Sequence, residues 1–151
     1  MIVGNSMRFD HLGIVVQDLG KGRSHFSRVY GVDQWTDEFN DEINGVFVQF
    51  GKGGGDICYE LVAPINDKSP IYNVISRNMN ILNHIAYIAD EINVTADILF
   101  DNNFMALGDA NSAIAYNMRK IQFFYSKELN YILELIEAPE HSHDYRLLTD
   151  Q

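Results

Sequence analysis

Phe9-Asp10-His11-Leu12-Gly13-Ile14-Val15-Val16-Gln17-Asp18 is a short apolar run that carries one histidine, and the chain restates it as Asn83-His84-Ile85-Ala86-Tyr87-Ile88-Ala89-Asp90-Glu91. In the first copy Leu12, Ile14 and Val16 share one face of a strand, while His11, Gly13 and Val15 share the other. Asp18 is placed to cap a helix, and Leu19, Phe26, Val29 and Tyr30 recur at helical spacing until Gly31 supplies a stop. Gly20 and Gly22 inside that helix weaken it.

Working outward, residues 46–50 read as a strand, 52–56 (Lys-Gly-Gly-Gly-Asp) as a tight turn and 57–62 as the hairpin partner, with a weaker strand at 35–39. The first module is therefore β-α-β-β-β. Residues 64–80 connect, with Ser69-Pro70-Ile71 starting a short helix through Ile75. The second module repeats the order: a strand at 82–89, a helix at about 91–100, and strands near 115–117, 121–125 and 131–136. The tail from Pro139, with His141 and His143, reads as loosely held.

The duplication can be counted. His84 follows His11 by 73 residues (84 − 11), Glu134 follows Glu60 by 74 (134 − 60), and Phe124 follows Phe50 by 74 (124 − 50). One period with a single residue of slip accounts for all three. Each module thus brings one histidine from its first strand and one glutamate from its last. Both glutamates, in Tyr59-Glu60-Leu61-Val62 and Leu133-Glu134-Leu135-Ile136, interrupt apolar strands. Two imidazoles and two carboxylates form a ligand set for a divalent ion such as Zn, Ni, Co, Mn or Fe. Gly13 and Ala86, two residues beyond each histidine, leave room for an ion and a substrate.

The pattern resembles the vicinal oxygen chelate superfamily, which includes glyoxalase I and methylmalonyl-CoA epimerase. Residues 10–16 resemble the opening strand of the epimerases, Tyr59-Glu60-Leu61-Val62-Ala63-Pro64 the second-ligand strand, Ser69-Pro70-Ile71 the connector, Asn83-His84-Ile85-Ala86 the third-ligand strand and Leu133-Glu134-Leu135-Ile136-Glu137 the closing one. The resemblance implies an α+β fold: two tandem βαβββ modules, 9–64 and 82–137, forming a curved mixed sheet around a central cavity in one domain, 9–137, with a polar tail at 138–151. It implies His11, Glu60, His84 and Glu134 as metal ligands and a homodimer. Epimerases of this kind place a glutamate as general base two residues before the glycine opening the central strand. Here Ile43 holds that place before Gly45, and Glu42 is one position off, which on a strand reverses the side chain.

The leading expectation is an enzyme in which the ion stabilises an enolate of a small carbonyl compound, most like an epimerase acting on a 2-substituted malonyl thioester. Candidate bases are Glu42, Glu60 and Glu134. A glyoxalase-type lyase and a non-catalytic binding member are the alternatives. Arg119 and Lys120 are candidates to meet an anionic substrate. The glycine run at 51–55 lacks the Lys-Ser/Thr ending of a phosphate loop and reads as a turn.

Composition fits this picture. With 46% hydrophobic and 21% charged residues, 151 residues suffice for a core without disulfides. Eleven basic against 21 acidic side chains, net −10, disfavour nucleic acid or an anionic membrane as partner. One cysteine, Cys58, points to a reducing, cytoplasmic setting, and the N-terminus lacks the pattern of a signal peptide. No apolar run approaches the ~20 residues of a membrane helix.

Overall fold

The computed structural model describes residues 7–77, 79 and 81–143. The expectations about a signal peptide and about the tail beyond His143 concern residues outside that set. The described residues form two compact units, one drawn from 11–83 with 142–143, and the other from 7–10 with 84–141. Each contains a mixed sheet with few helices, so the α+β class holds.

In the first unit, the part of strand β1 (Arg8–Val15) from His11 on runs parallel to β5 (Cys58–Pro64), and β5 runs antiparallel to β4 (Val46–Lys52). The far edge of β4 carries β2 (Gln34–Trp35) and β3 (Phe39–Asp41). The single weak strand expected at 35–39 is thus two short ones. Between them the Thr36 N–H still donates to the Phe50 carbonyl at 2.9 Å, and side chains add to it: the Phe50 N–H donates to Thr36 Oγ1 at 3.1 Å, and Gln49 Nε2 donates to the Thr36 carbonyl at 2.8 Å.

Helix α1 (Leu19–Tyr30) forms as its ends require. The Asp18 carboxylate accepts from the Lys21 N–H, and Gly31 closes the helix at φ 67°, a left-handed value that glycine tolerates without penalty. Its apolar face packs Leu19 and Phe26 onto Ile14, Leu61 and Ala63 from the sheet, with Val32 and Trp35. Burying Phe26 contributes about 1.5–3 kcal/mol. Gly22, which weakens the isolated helix, permits this packing: a Cβ there would lie 2.8 Å from Val16 Cγ1 and 3.1 Å from Leu61 Cδ1. The connector holds the short helix α2 (Tyr72–Ser76).

The second unit repeats the plan. Strand β6 (Leu82–Ile88) runs parallel to β10 (Ile132–Ile136), β10 antiparallel to β9 (Arg119–Ser126), and β9 carries β7 (Phe104–Ala106) and β8 (Asn111–Ala113). Helix α3 (Ile92–Asp101) packs Ile92, Ala96 and Leu99 against Phe124, Leu133 and Leu135. Its first N–H, from Ile92, is satisfied from a distance by Glu137 Oε2 at 2.8 Å, so Glu137 does the work of a local cap.

The strand expected near 115–117 is corrected. Residues Ile114–Tyr116 form a 3₁₀ turn, and Asn117 and Met118 take φ values of 53° and 64°. Two successive left-handed residues reverse the chain rather than extend it. No helix among the described residues is long and apolar enough to cross a membrane.

Candidate metal centre

Each unit buries one histidine and one glutamate side by side. In the first, β1 and β5 pair with Gly13 in register with Glu60. Side chains in register share a face, so the hydrogen of Gly13 leaves the space that the Glu60 carboxylate occupies. His11, two residues earlier on that face, meets it with Nε2 2.8 Å from Glu60 Oε2. In the second unit Ala86 is in register with Glu134. Two residues earlier, His84 places Nε2 3.0 Å from Glu134 Oε2. The small residue beyond each histidine therefore lies directly across from the glutamate.

The third neighbour is also repeated. Phe50 on β4 is in register with Glu60, and its ring meets His11 edge-on at 5.3 Å. Phe123 on β9 is in register with Glu134, and its ring meets His84 edge-on at 5.4 Å. The counterpart of Phe50 is thus Phe123, 73 residues on (123 − 50), and not Phe124 as spacing alone suggested. The extra residue of the second module falls in its β9–β10 turn, where Asn130 adopts φ 58°. Phe124 points to the opposite face and is fully buried in the α3 core.

Each pair takes two ionisable groups out of water. His11 and Glu60 are 0% and 8% exposed in their side chains, His84 and Glu134 3% each. A buried pair of this kind is a weak source of stability, because desolvation offsets most of the attraction. Two such pairs in matched positions are better explained by a ligand that needs them. Each offers one imidazole nitrogen and one carboxylate oxygen, donors suited to a divalent transition ion. Separations of 2.8 and 3.0 Å put the two donors of each pair close enough to bind one ion together.

The other candidates lie elsewhere. Glu42 is exposed, on the turn between β3 and β4. It lines a cleft of about 330 Å³ with Gly45, Asn66, Lys68 and Ser69. The Gly45 carbonyl accepts from the Ile65 N–H, which places this turn beside the end of β5, some four to five residues and about 13–16 Å along the strand from Glu60. Arg119 and Lys120 are exposed, and Arg119 Nε donates to the Glu137 carbonyl at 3.1 Å. His25 is exposed on α1, and Cys58 is buried. His141 and His143, expected in a loose tail, instead make defined ring contacts: His141 with Tyr116 at 4.7 Å and His143 with Phe50 at 4.4 Å. Nothing in the sequence distinguished them, since both lie past the duplicated unit.

Comparison with known proteins places the chain in a family. Residues 10–125 match the model of the Glyoxalase/Bleomycin resistance protein/Dioxygenase superfamily. An uncharacterized protein of Bacillus subtilis, YqjC, is 28% identical over 140 residues, covering 91% of this chain and 96% of its own. The mitochondrial methylmalonyl-CoA epimerase of Dictyostelium discoideum is 26% identical over 131 residues, 86% of this chain and 77% of that one. A Streptomyces coelicolor methylmalonyl-CoA epimerase, solved in complex with 2-nitronate-propionyl-CoA, superposes with a TM-score of 0.73 at 22% identity, covering 91% of this chain and 98% of the other. That likeness shows the shared glyoxalase-like fold.

Proposed function

The chain belongs to the Glyoxalase/Bleomycin resistance protein/Dioxygenase superfamily, and on that premise we propose that it is a metal-dependent enzyme acting on a small acyl thioester, in the manner of methylmalonyl-CoA epimerase. The observation that carries the proposal is the matched burial of His11 with Glu60 and His84 with Glu134, each beside a residue with little or no side chain. In this reading the four side chains would hold one divalent ion, which would supply Lewis acidity for the loss of a proton beside a substrate carbonyl.

The protein's own groups have separable tasks. His11 and His84 would each give the ion a ring nitrogen. Glu60 and Glu134 supply the negative charge that balances the ion. Glu134, loosened from the ion, would take the substrate proton on one face of the planar carbon, and a second carboxylate, Glu60 or Glu42, would deliver a proton to the other. Glu42, exposed on its turn, remains the second candidate base. Phe50 and Phe123 give apolar walls that keep water from the carboxylates and strengthen each electrostatic contact. A base so placed contributes about 10²–10⁴-fold to the rate.

Proton NMR in deuterated buffer tests this. The metal-loaded protein is expected to exchange the C2 hydrogen of a methylmalonyl thioester for deuterium, and chelation to stop the exchange. No exchange, with isomerisation of a glutathione hemithioacetal instead, would move the assignment to a glyoxalase-type lyase. The homodimer belongs to the same proposal, and sedimentation velocity measures it.

A further inference from the structure

The C-terminal segment that follows the duplicated modules is tied down. Ala138 is buried, and its carbonyl accepts from the His141 N–H at 2.8 Å. The Arg8 guanidinium donates to the carbonyls of His141 at 2.9 Å and Pro139 at 3.4 Å. The His141 ring lies against Tyr116, whose hydroxyl donates to Asp10 Oδ2 at 2.9 Å in a buried hydrogen bond. Two residues on, the His143 ring packs on Phe50 with centroids 4.4 Å apart and planes 35° apart. It also meets His11 edge-on at 6.5 Å. A ring nitrogen of His143 lies within 4.8 Å of one on His11. His11, Phe50 and His143 therefore form a cluster of three rings in mutual contact.

We propose that His143 is a positioning residue of the metal centre: packed on Phe50 and His11, it fixes the plane of the His11 imidazole and so the direction in which Nε2 points. The proposal rests on the metal reading above. A ligating imidazole binds well only if its ring is already oriented, because a ring free to turn must be ordered when the ion arrives, and groups outside the ligand shell commonly do that ordering. Phe50 supports His11 from β4. His143 supports both rings from beyond the repeat. Removing its ring leaves space beside Phe50 into which Phe50 and His11 can relax.

Isothermal titration calorimetry with Zn²⁺ on the full chain, with melting temperatures recorded in chelator, tests the idea through variants that share one fold. His143→Ala is expected to weaken binding about 10–100-fold, the usual cost of losing such a support, while the metal-free melting temperature stays near that of the parent. His143→Phe keeps a packing ring and is expected to recover most of the affinity. Parent-like affinity in His143→Ala overturns the proposal, and so does a loss in His143→Phe as large as in His143→Ala, because the ring contact would then not be the cause. If the parent protein itself binds no ion, the metal reading fails, and this proposal fails with it.

Discussion

Glu134→Leu in the metal-free protein exposes how much each buried pair costs. The substitution removes the carboxylate that His84 Nε2 faces at 3.0 Å, in a place where both side chains are 3% exposed and water has little access. Leaving a buried polar group without a partner costs about 1–3 kcal/mol, or about 3–5 kcal/mol if the imidazole is charged. Adding His84→Leu removes the stranded ring as well. Exchanging a whole buried pair for apolar side chains is commonly neutral or stabilising by about 1–4 kcal/mol. In a chain of this size each kcal/mol moves the melting temperature by about 2–4 °C. By calorimetry in chelator the single variant is thus expected to melt about 2–12 °C lower with a neutral imidazole and about 6–20 °C lower with a charged one, and the double variant to return to the parent value or pass it. A double variant that loses the sum of the two single losses would refute the reasoning, because the two side chains would then be contributing independently.

Three further outcomes follow from the same geometry. Phe124→Ala, in the α3 core, is expected to cost about 3–5 kcal/mol in urea unfolding. Phe123→Ala, beside His84, should cost clearly less and weaken zinc binding instead, which checks that Phe123 and not Phe124 corresponds to Phe50. Gly51→Ala would drive a Cβ into the Trp35 ring and should destabilise by about 1–3 kcal/mol. Because Trp35 is the only tryptophan and its Nε1 donates to Ser27 Oγ, a shift of its fluorescence emission reports the displaced ring. Zinc at a hundred times its dissociation constant should stabilise the parent protein by about 2.7 kcal/mol, and a thermal scan of Glu134→Leu at that concentration should show far less.

The features visible in the sequence are those set by local chemistry and by repetition. Asp18 and Gly31 bound α1 where the sequence places its ends, because a cap and a left-handed stop act within one turn. His11, Glu60, His84 and Glu134 stood out because a lone polar residue in an apolar strand, found twice at one period, needs a common cause. Register was legible only in part. Phe124 looked like the partner of Phe50 by counting, yet one extra residue in a turn moves every later side chain to the other face. The short strands β7 and β8 escaped notice since three residues carry no periodicity, and the pair of left-handed residues at Asn117 and Met118 has no glycine to announce it. His143 was illegible for another reason: its ring contacts join residues 143, 50 and 11, separations that no local pattern encodes.

In the reading proposed above, the two His–Glu pairs serve one ion together. Equilibrium dialysis against zinc, with metal counted per chain, tests it on the parent protein and on His11→Ala/Glu60→Ala, which keeps the second pair intact. The account predicts one tightly held ion in the parent and none in the variant. Two ions in the parent, with one surviving in the variant, would show that each pair binds alone and contradict it.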